Sequence, residues 1–408
     1  MRKVLFIISA LYGGGAERAL SNIITHFPDD WDIDILVNNE TLVEFPYKGN
    51  ILSLSLPGFG NRKTVFYFIR ETVKRINYLR KIKKSNHYDA CISFLDSANI
   101  SNVLSGNKYC KTIVSIRINM FATKSKLLYR LSVIPLVKLI YRHADKIVAV
   151  SKEIELGLIC RLGMPESGVQ TIVNGYDCSY INEQMRTAPI QIDKRIIGKW
   201  SKIVVSVGRL DEQKGHWHLI RAFSKVIEQE KDALLLIVGS GSLERYLIEL
   251  VHAYNLEKNV IFVGYSSNPF WYISKASVFI LPSLNEGYPN ALAEAICCGV
   301  PCVATDFHSG AREILAPHLD VMGERTADIL EEQYGILVPL CSGKMYRNKE
   351  VLELEERKMA EAIIMLLSDS EKQQYYREKS AERSKSLGID TIVEEWVDLI
   401  LESKVVGR

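Results

Sequence analysis

Short apolar runs recur along the chain, each closed by glycine, proline, asparagine or serine, and most lead into segments with apolar residues at helical spacing. They lie at residues 4–9, 33–37, 90–94, 112–116, 147–150 and 171–173, and again at 202–207, 234–238, 260–263, 276–281, 300–305 and 333–339. Runs this short, bounded by turn residues, predict strands buried on both faces. Their alternation with helices predicts an α/β protein with parallel sheets. Residues 180–200, between the two sets, are polar and irregular and are expected to be a linker. The expected organisation is a first domain over 1–180, a linker over 181–200, a second domain over 201–385, and a terminal segment over 386–408 with a helix at 389–401.

Residues 281–306 carry the densest chemistry, reading L-P-S-L-N-E-G-Y-P-N-A-L-A-E-A-I-C-C-G-V-P-C-V-A-T-D. Pro282 and Ser283 end a strand, and Gly287 and Pro289 keep the next segment a loop. Proline is tolerated at a helix start, and Gly299 with Pro301 marks the end, so a helix is expected from about Asn290. Glu286 then stands in the loop at the strand's carboxyl end. Asn290 and Glu294, four apart, share a helix face. Ligands of open α/β sheets bind outside the carboxyl ends of the strands. The first amides of the helix, at Asn290, Ala291 and Leu292, are expected to lack intrahelical partners and to attract anions. An anion site flanked by two acids suits a diphosphate between hydroxyl-rich groups, which is the make-up of a nucleotide-sugar.

Other strand ends add to this. Gly208 and Arg209 close one strand, and Lys214 precedes the next helix; two cations there suit a diphosphate leaving group. Gly239 and Gly264 close two more strands. Gly13, Gly14 and Gly15 join the first strand to a helix and would bring backbone close to a phosphate. A dinucleotide fingerprint does not fit, because Arg18 holds the place of its third glycine. Asp32 and Asp34 lead into a strand instead of standing after one, so they are read as turn chemistry and no bound metal is expected. His216 and His218 point to different helix faces and are read as structural.

Composition narrows the class. A chain of 408 residues, 47% hydrophobic and 24% charged, has room for two or three domains with ample core. A net charge of +3 is too near neutral to argue for nucleic acid. Eight cysteines without a C-x-x-C pair are read as reduced thiols of a cytoplasmic protein. The apolar run up to Ala10 is too short for a signal peptide and continues into Gly13, and no stretch of 18 apolar residues would cross a membrane. The charge is uneven, however. Arg62, Lys63, Arg70, Lys74, Arg75, Arg80, Lys81, Lys83 and Lys84 face a single acid, Glu71. With a second basic, aromatic-rich helix expected over 124–142, this stretch reads either as a face resting on the anionic inner membrane or as a solvated helix face.

The string P-S-x-x-E-G-x-P-x-x-x-x-E-A, with seven residues between Glu286 and Glu294, resembles the signature of retaining, nucleotide-sugar-dependent glycosyltransferases of family four. G-R-L-x-x-x-K-G from Gly208 to Gly215 is similar to the same family, and the resemblance extends from Val4 to about Leu367. It implies the GT-B architecture: two facing Rossmann-like domains, with the last helix crossing back onto the first. It implies metal-independent transfer, without a cofactor, of a hexose or N-acetylhexosamine to a glycan or polyprenyl-linked acceptor in bacterial surface polysaccharide or lipopolysaccharide assembly. The P-N-A-L sequence tilts the donor towards a UDP-sugar. The resemblance places Glu286 by the donor sugar, Glu294 on the ribose, and Arg209 and Lys214 on the phosphates. It has Gly14 and Gly15 close on the diphosphate, with Gly239 and Gly264 shaping the base pocket. Gly208, Gly287, Tyr288, Asn290, Ala291 and Leu292 would line the rest of the donor site. Many members carry a histidine after the strand at 112–116; this chain has S-I-R-I-N, so Arg117 and Asn119 take that place by position. The departure keeps open a catalytically silent nucleotide-sugar-binding partner subunit. An epimerase on the same architecture is a third reading.

Overall fold

The structure, a computed structural model, describes residues 2–56, 65–121, 127–189, 199–347 and 349–402. The chain divides into two units: Met1–Gly175 with Ile389–Arg408, and Tyr176–Gly388.

The first unit contains β1 (Arg2–Ile7), α1 (Gly15–Thr25), β2 (Trp31–Val37), β3 (Asn50–Ser53), α2 (Val65–Ser85), β4 (Ala90–Phe94) and α3 (Asp96–Leu104). It continues through β5 (Lys111–Ile116), α4 (Leu127–Tyr141), β6 (Lys146–Ala149), α5 (Lys152–Leu162) and β7 (Val169–Thr171). The strands form one parallel sheet in the order β3-β2-β1-β4-β5-β6-β7. Strand β1 shows why the runs are apolar throughout. Val4 and Phe6 pack on one side with Leu20, Ile23 and Ile24 of α1, while Leu5 and Ile7 pack on the other with Leu79 and Ile82 of α2. Successive side chains alternate faces, and helices cover both.

The second unit contains α6 (Cys178–Arg186), β8 (Lys202–Val207), α7 (His216–Gln229), β9 (Ala233–Val238), α8 (Glu244–Ala253), β10 (Val260–Gly264), α9 (Pro269–Ser274) and β11 (Val278–Leu281). It continues through α10 (Asn290–Cys297), β12 (Cys302–Thr305), α11 (Ala311–Leu315), β13 (Leu330–Glu332), β14 (Gly335–Val338), α12 (Leu354–Ser368) and α13 (Ser370–Ser384). Its sheet runs β10-β9-β8-β11-β12-β14-β13, parallel except for the β13–β14 pair. The final helix, α14 (Ile389–Leu401), returns to the first unit. Its Ile392, Val393, Trp396, Leu399 and Ile400, at three- and four-residue spacing, join the same core cluster as α1. Buried Lys111 holds its end by donating to the carbonyls of Leu399 and Glu402, groups that a helix terminus leaves without partners.

Three expectations change. Residues 181–186 are not linker: they belong to α6, capped by Asp177, which accepts the Tyr180 N–H at 2.9 Å. The helix buries only Ile181, so its sequence reads as polar. The rest of the expected linker, 190–198, lies outside the described residues. Asp32 and Asp34 are not turn residues. They sit within β2, where Lys3 pairs with both, at 2.8 and 3.2 Å, and Tyr88 donates to Asp34.

The basic stretch is also thinner than its sequence suggests. Arg75 and Lys83 are buried: Arg75 donates to Ser97 and Asn38, and Lys83 to the carbonyls of Asn102 and Gly106. Lys74 and Arg80 bond to the carbonyls of Leu54 and Leu104. Arg62 and Lys63 lie outside the described residues. No helix among the described residues is long and apolar enough to cross a membrane.

Candidate active site

In an open parallel sheet a ligand crevice opens where the strand order reverses, because the connections after the two neighbouring strands leave to opposite faces. In the second unit that point lies between β8 and β11. The segment after β8 carries Gly208, Arg209, Gln213 and Lys214; the segment after β11 carries Ser283 and Glu286. The two segments meet. Lys214 Nζ lies 2.5 Å from Glu286 Oε1, Ser283 Oγ donates to the same oxygen at 2.8 Å, and Gln213 Nε2 donates to Oε2 at 3.0 Å. Glu286 is 7% exposed, so its carboxylate is fixed and held by three donors.

Local chemistry explains the approach. Asp211 accepts the Lys214 N–H at 3.3 Å and shapes the turn. Gly215 comes next at φ 63, and a Cβ there would stand 2.3 Å from the Pro282 carbonyl oxygen. Only glycine permits that conformation and that contact together. Thr305 Oγ1 donates to the Ser283 carbonyl at 2.6 Å and anchors the other side.

The two expected cations thus differ. Lys214 is engaged by Glu286. The Arg209 side chain is 68% exposed, with Asp211 at 3.2 Å, and reaches solvent. Gln213 and Ser283 were not singled out by sequence reasoning, though both lie inside the motifs that were.

The front of α10 corrects another expectation. Of the three amides, the Asn290 N–H donates to Tyr288 O at 3.0 Å and the Leu292 N–H to Pro289 O at 3.0 Å. The tight turn at Tyr288-Pro289 brings those carbonyls back over the helix start, where they engage two of the three amides. The Tyr288 ring is buried, and burial pushes its phenol far above the usual range. The Tyr288 ring therefore faces the protein interior. Gly287 is held by Ser309, whose Oγ donates to its carbonyl at 2.7 Å. Asn290 is half-buried and its Oδ1 accepts the Tyr176 hydroxyl at 2.6 Å, a partner that sequence spacing could not signal. Glu294 is 5% exposed and lies one turn along from Asn290.

Gly208, Gly239 and Gly264 form a seam across the carboxyl ends of β8, β9 and β10. A Cβ on Gly239, at φ 142, would stand 1.9 Å from Gly208 O, and the Gly239 N–H donates to Gly264 O at 2.8 Å. In the first unit, Gly14 caps α1 and Gly15 begins it, with the Glu17 carboxylate folded over Gly14. Arg117 turns inward, stacked 4.6 Å from the Phe94 ring centroid and donating to Asn174 at 2.6 Å. Asn119 is buried too, its Oδ1 accepting the Phe121 N–H at 3.0 Å. Neither presents its side chain to an open face, because the apolar surroundings of Phe94 and Trp396 draw the guanidinium in.

Among the described residues one group of metal-ligating types converges, His218, Cys341 and Glu353. Its atoms already serve the protein. His218 Nδ1 faces Glu356 at 2.7 Å and Nε2 accepts the Gly343 N–H at 3.2 Å, while Glu353 accepts from Ser342 and Tyr346. The cluster ties the segment before α12 onto α7.

The constellation around Glu286 falls inside residues 189–325, which match a family model described as glycosyl transferases group 1. An uncharacterized glycosyltransferase of Methanocaldococcus jannaschii is 30% identical over 342 residues, covering 82% of this chain and 84% of that protein. The chain belongs to the group 1 glycosyltransferases. This glycosyltransferase is also 24% identical, over 95% of its length and 96% of the relative's, to a Campylobacter jejuni enzyme. That enzyme is named as an N-acetylgalactosamine-N,N'-diacetylbacillosaminyl-diphospho-undecaprenol 4-alpha-N-acetylgalactosaminyltransferase. Among solved structures, Anabaena HepE in complex with UDP and glucose matches 98% of the chain, and 99% of its own, with a TM-score of 0.72 at 18% identity. The fold is that of GT-B glycosyltransferases, with two Rossmann-like parallel-sheet units.

Proposed function

We propose that this glycosyltransferase moves a hexose or N-acetylhexosamine, with retention and without a metal ion, from a nucleoside diphosphate to a hydroxyl of a glycan carried on a polyprenyl diphosphate. The preferred donor is a UDP-sugar and the setting is bacterial surface polysaccharide assembly. The observation that carries this reading is the triple hold of Lys214, Ser283 and Gln213 on Glu286 at the β8/β11 switch point. The acceptor class is supported by the name of the Campylobacter relative, and the donor by the UDP bound in HepE.

Breaking the anomeric bond builds positive charge on the sugar and negative charge on the departing phosphate. Glu286, fixed in place, accepts from donor hydroxyls and opposes the positive charge. Arg209 and the Ala291 N–H stabilise the phosphate, and the Lys214 ammonium, which has three protons, engages Glu286 with one and turns another to a phosphate oxygen. Glu294, one turn behind Asn290, takes the ribose hydroxyls. No protein nucleophile is needed, since the departing phosphate oxygen can take the acceptor's proton on the same face.

A panel of nucleotide-sugars screened by thermal shift, and then transfer to a polyprenyl-diphosphate-linked N-acetylhexosamine, tests the reading. A UDP-sugar should raise the melting temperature and be consumed, and the new linkage should keep the donor's anomeric configuration by NMR. A panel in which nothing binds refutes the function, an inverted linkage refutes retention, and loss of activity in EDTA refutes metal independence. Membrane contact through α2 rests on the outward Arg70, Lys81 and Lys84 with exposed Ile69 and Val73. Co-sedimentation with anionic but not neutral vesicles supports it, and equal partition contradicts it.

A further inference from the structure

The strand order of the first unit reverses between β1 and β4, so by the same topological rule its crevice opens between the residues just beyond those two strands. In the second unit that place holds Glu286. In the first it holds Ser9 after β1, and Asp96 and Ser97 after β4. A hydrogen bond of 3.0 Å between Ser9 Oγ and Ser97 Oγ closes the floor, and buried Arg75 donates to the Ser97 carbonyl at 3.0 Å. Asp96 stands at this edge, half-buried. Fully buried Tyr141 donates to its Oδ1 at 3.0 Å, so one carboxylate oxygen is already held.

Asp96 opens α3, where a first-turn acid suits the helix dipole, and two further features mark the place. Leu95, which delivers Asp96, turns through φ 71, a conformation that a side chain with a Cβ disfavours. Burial also pushes the Asp96 carboxyl above the usual range, and only the Tyr141 hydroxyl pulls it back. A neutral asparagine would keep the Tyr141 bond without desolvating a charge. Strain and an ill-solvated charge at a ligand crevice are features of sites arranged for a substrate.

We propose that Asp96 contacts the acceptor: with Oδ1 fixed by Tyr141, its other oxygen accepts a hydrogen bond from a ring hydroxyl of the acceptor sugar and orients that glycan for transfer. This role rests on the proposed glycosyltransferase reaction and gives the first unit its own acceptor-contact residue, where Arg117 and Asn119 are turned inward.

The test uses the full chain, a UDP-N-acetylhexosamine as donor and N-acetylgalactosamine diphosphate on a short polyprenyl chain as acceptor. Asp96→Asn should lower kcat/KM for the acceptor at least ~10-fold, the loss expected for a hydrogen bond to a charged group. Donor affinity and the slow hydrolysis of donor without acceptor should stay as in the wild type, and the melting temperature at pH 7 should not fall. Tyr141→Phe should move the acceptor kcat/KM in the same direction by less. Unchanged acceptor kinetics in Asp96→Asn would overturn the role, as would a fall in melting temperature with a matching loss of donor hydrolysis, because that pattern is structural. A wild type that binds no nucleotide-sugar removes the proposed function and this role together. A transferring wild type matched by Asp96→Asn removes this role alone.

Discussion

Replacing Glu286 by glutamine isolates its charge from its shape. The side chain keeps its volume, but Lys214 loses its counter-ion in a place where the two side chains are 13% and 8% exposed. The new amide must also turn an N–H towards either Lys214 or Gln213, both of which are donors. Breaking one partner of a buried pair costs about 3–5 kcal/mol. We take the lower end, ~3 kcal/mol, because the pair borders a crevice; this is over a hundredfold in the folding equilibrium of the second unit. At roughly 2–4 °C per kcal/mol for a unit of this size, its melting should fall by about 6–12 °C. Turnover should fall by about 10²–10³, the loss typical when a fixed charge aimed at the transition state is removed. The decisive comparison is the double variant Lys214→Met with Glu286→Leu. Removing both charges leaves no stranded ion, so most of the lost stability should return, while turnover should stay at the level of the single variant or below. Scanning fluorimetry reads the first quantity and radiolabelled sugar transfer the second. A glutamine variant with near-normal turnover, or a double variant that melts as low as the single one, would refute the assignment of Glu286 and Lys214 as a pair kept for catalysis.

Gly239→Ala places a Cβ 1.9 Å from Gly208 O at a φ of 142, so it should destabilise the second unit by ~3 kcal/mol or more; a melting point within a degree of wild type counts against the seam. Lys111→Met should loosen α14 by ~2 kcal/mol, seen as faster amide exchange over 389–402 with donor binding intact; unchanged exchange there would contradict the clamp. Burial, then the nearby Lys214 charge, push the His216 imidazole down to about 3, so the native state holds it neutral while the unfolded chain takes up a proton below about pH 6.5. Its contribution is therefore complete above pH 6.5 and is lost as pH falls towards 3, at up to ~1.4 kcal/mol per pH unit. His216→Leu should flatten the fall in stability between pH 7 and pH 5, and an unaltered slope would rule out this origin.

The parallel sheets were legible because both faces of each are covered, which forces unbroken apolar runs such as Val4-Leu5-Phe6-Ile7 on β1 and the six buried residues of β9. Strand order was not legible, since every strand of a doubly covered sheet reads alike. The polar helix α6 was missed for the opposite reason: with one buried position it leaves no periodic signal. On α2 a count of cations could not tell solvated lysines from Arg75 and Lys83, whose partners lie 19 or more residues away in sequence.

The site divides along the same line. Glu286, Lys214 and Gly208 could be singled out from the sequence because their spacing is local, within one turn or loop of a strand end. What joins them is not local: Gln213 meets Glu286 across 73 residues, and Tyr176 meets Asn290 across 114. The amides at the start of α10 were misjudged for a related reason, since a helix rule assumes an extended approach, whereas Tyr288 and Pro289 fold their carbonyls back onto two of the three. The consequence is chemical. On the proposed mechanism an anion arriving at α10 meets one amide instead of three, so the stabilisation of the leaving phosphate would fall more heavily on Arg209 and Lys214. Arginine at an exposed strand end and lysine already tied to Glu286 are not equivalent in that task. Arg209→Ala should weaken donor binding without disturbing the fold, whereas Lys214→Ala should disturb both, and equal effects on stability from the two would show that the Lys214–Glu286 pair is not formed in solution.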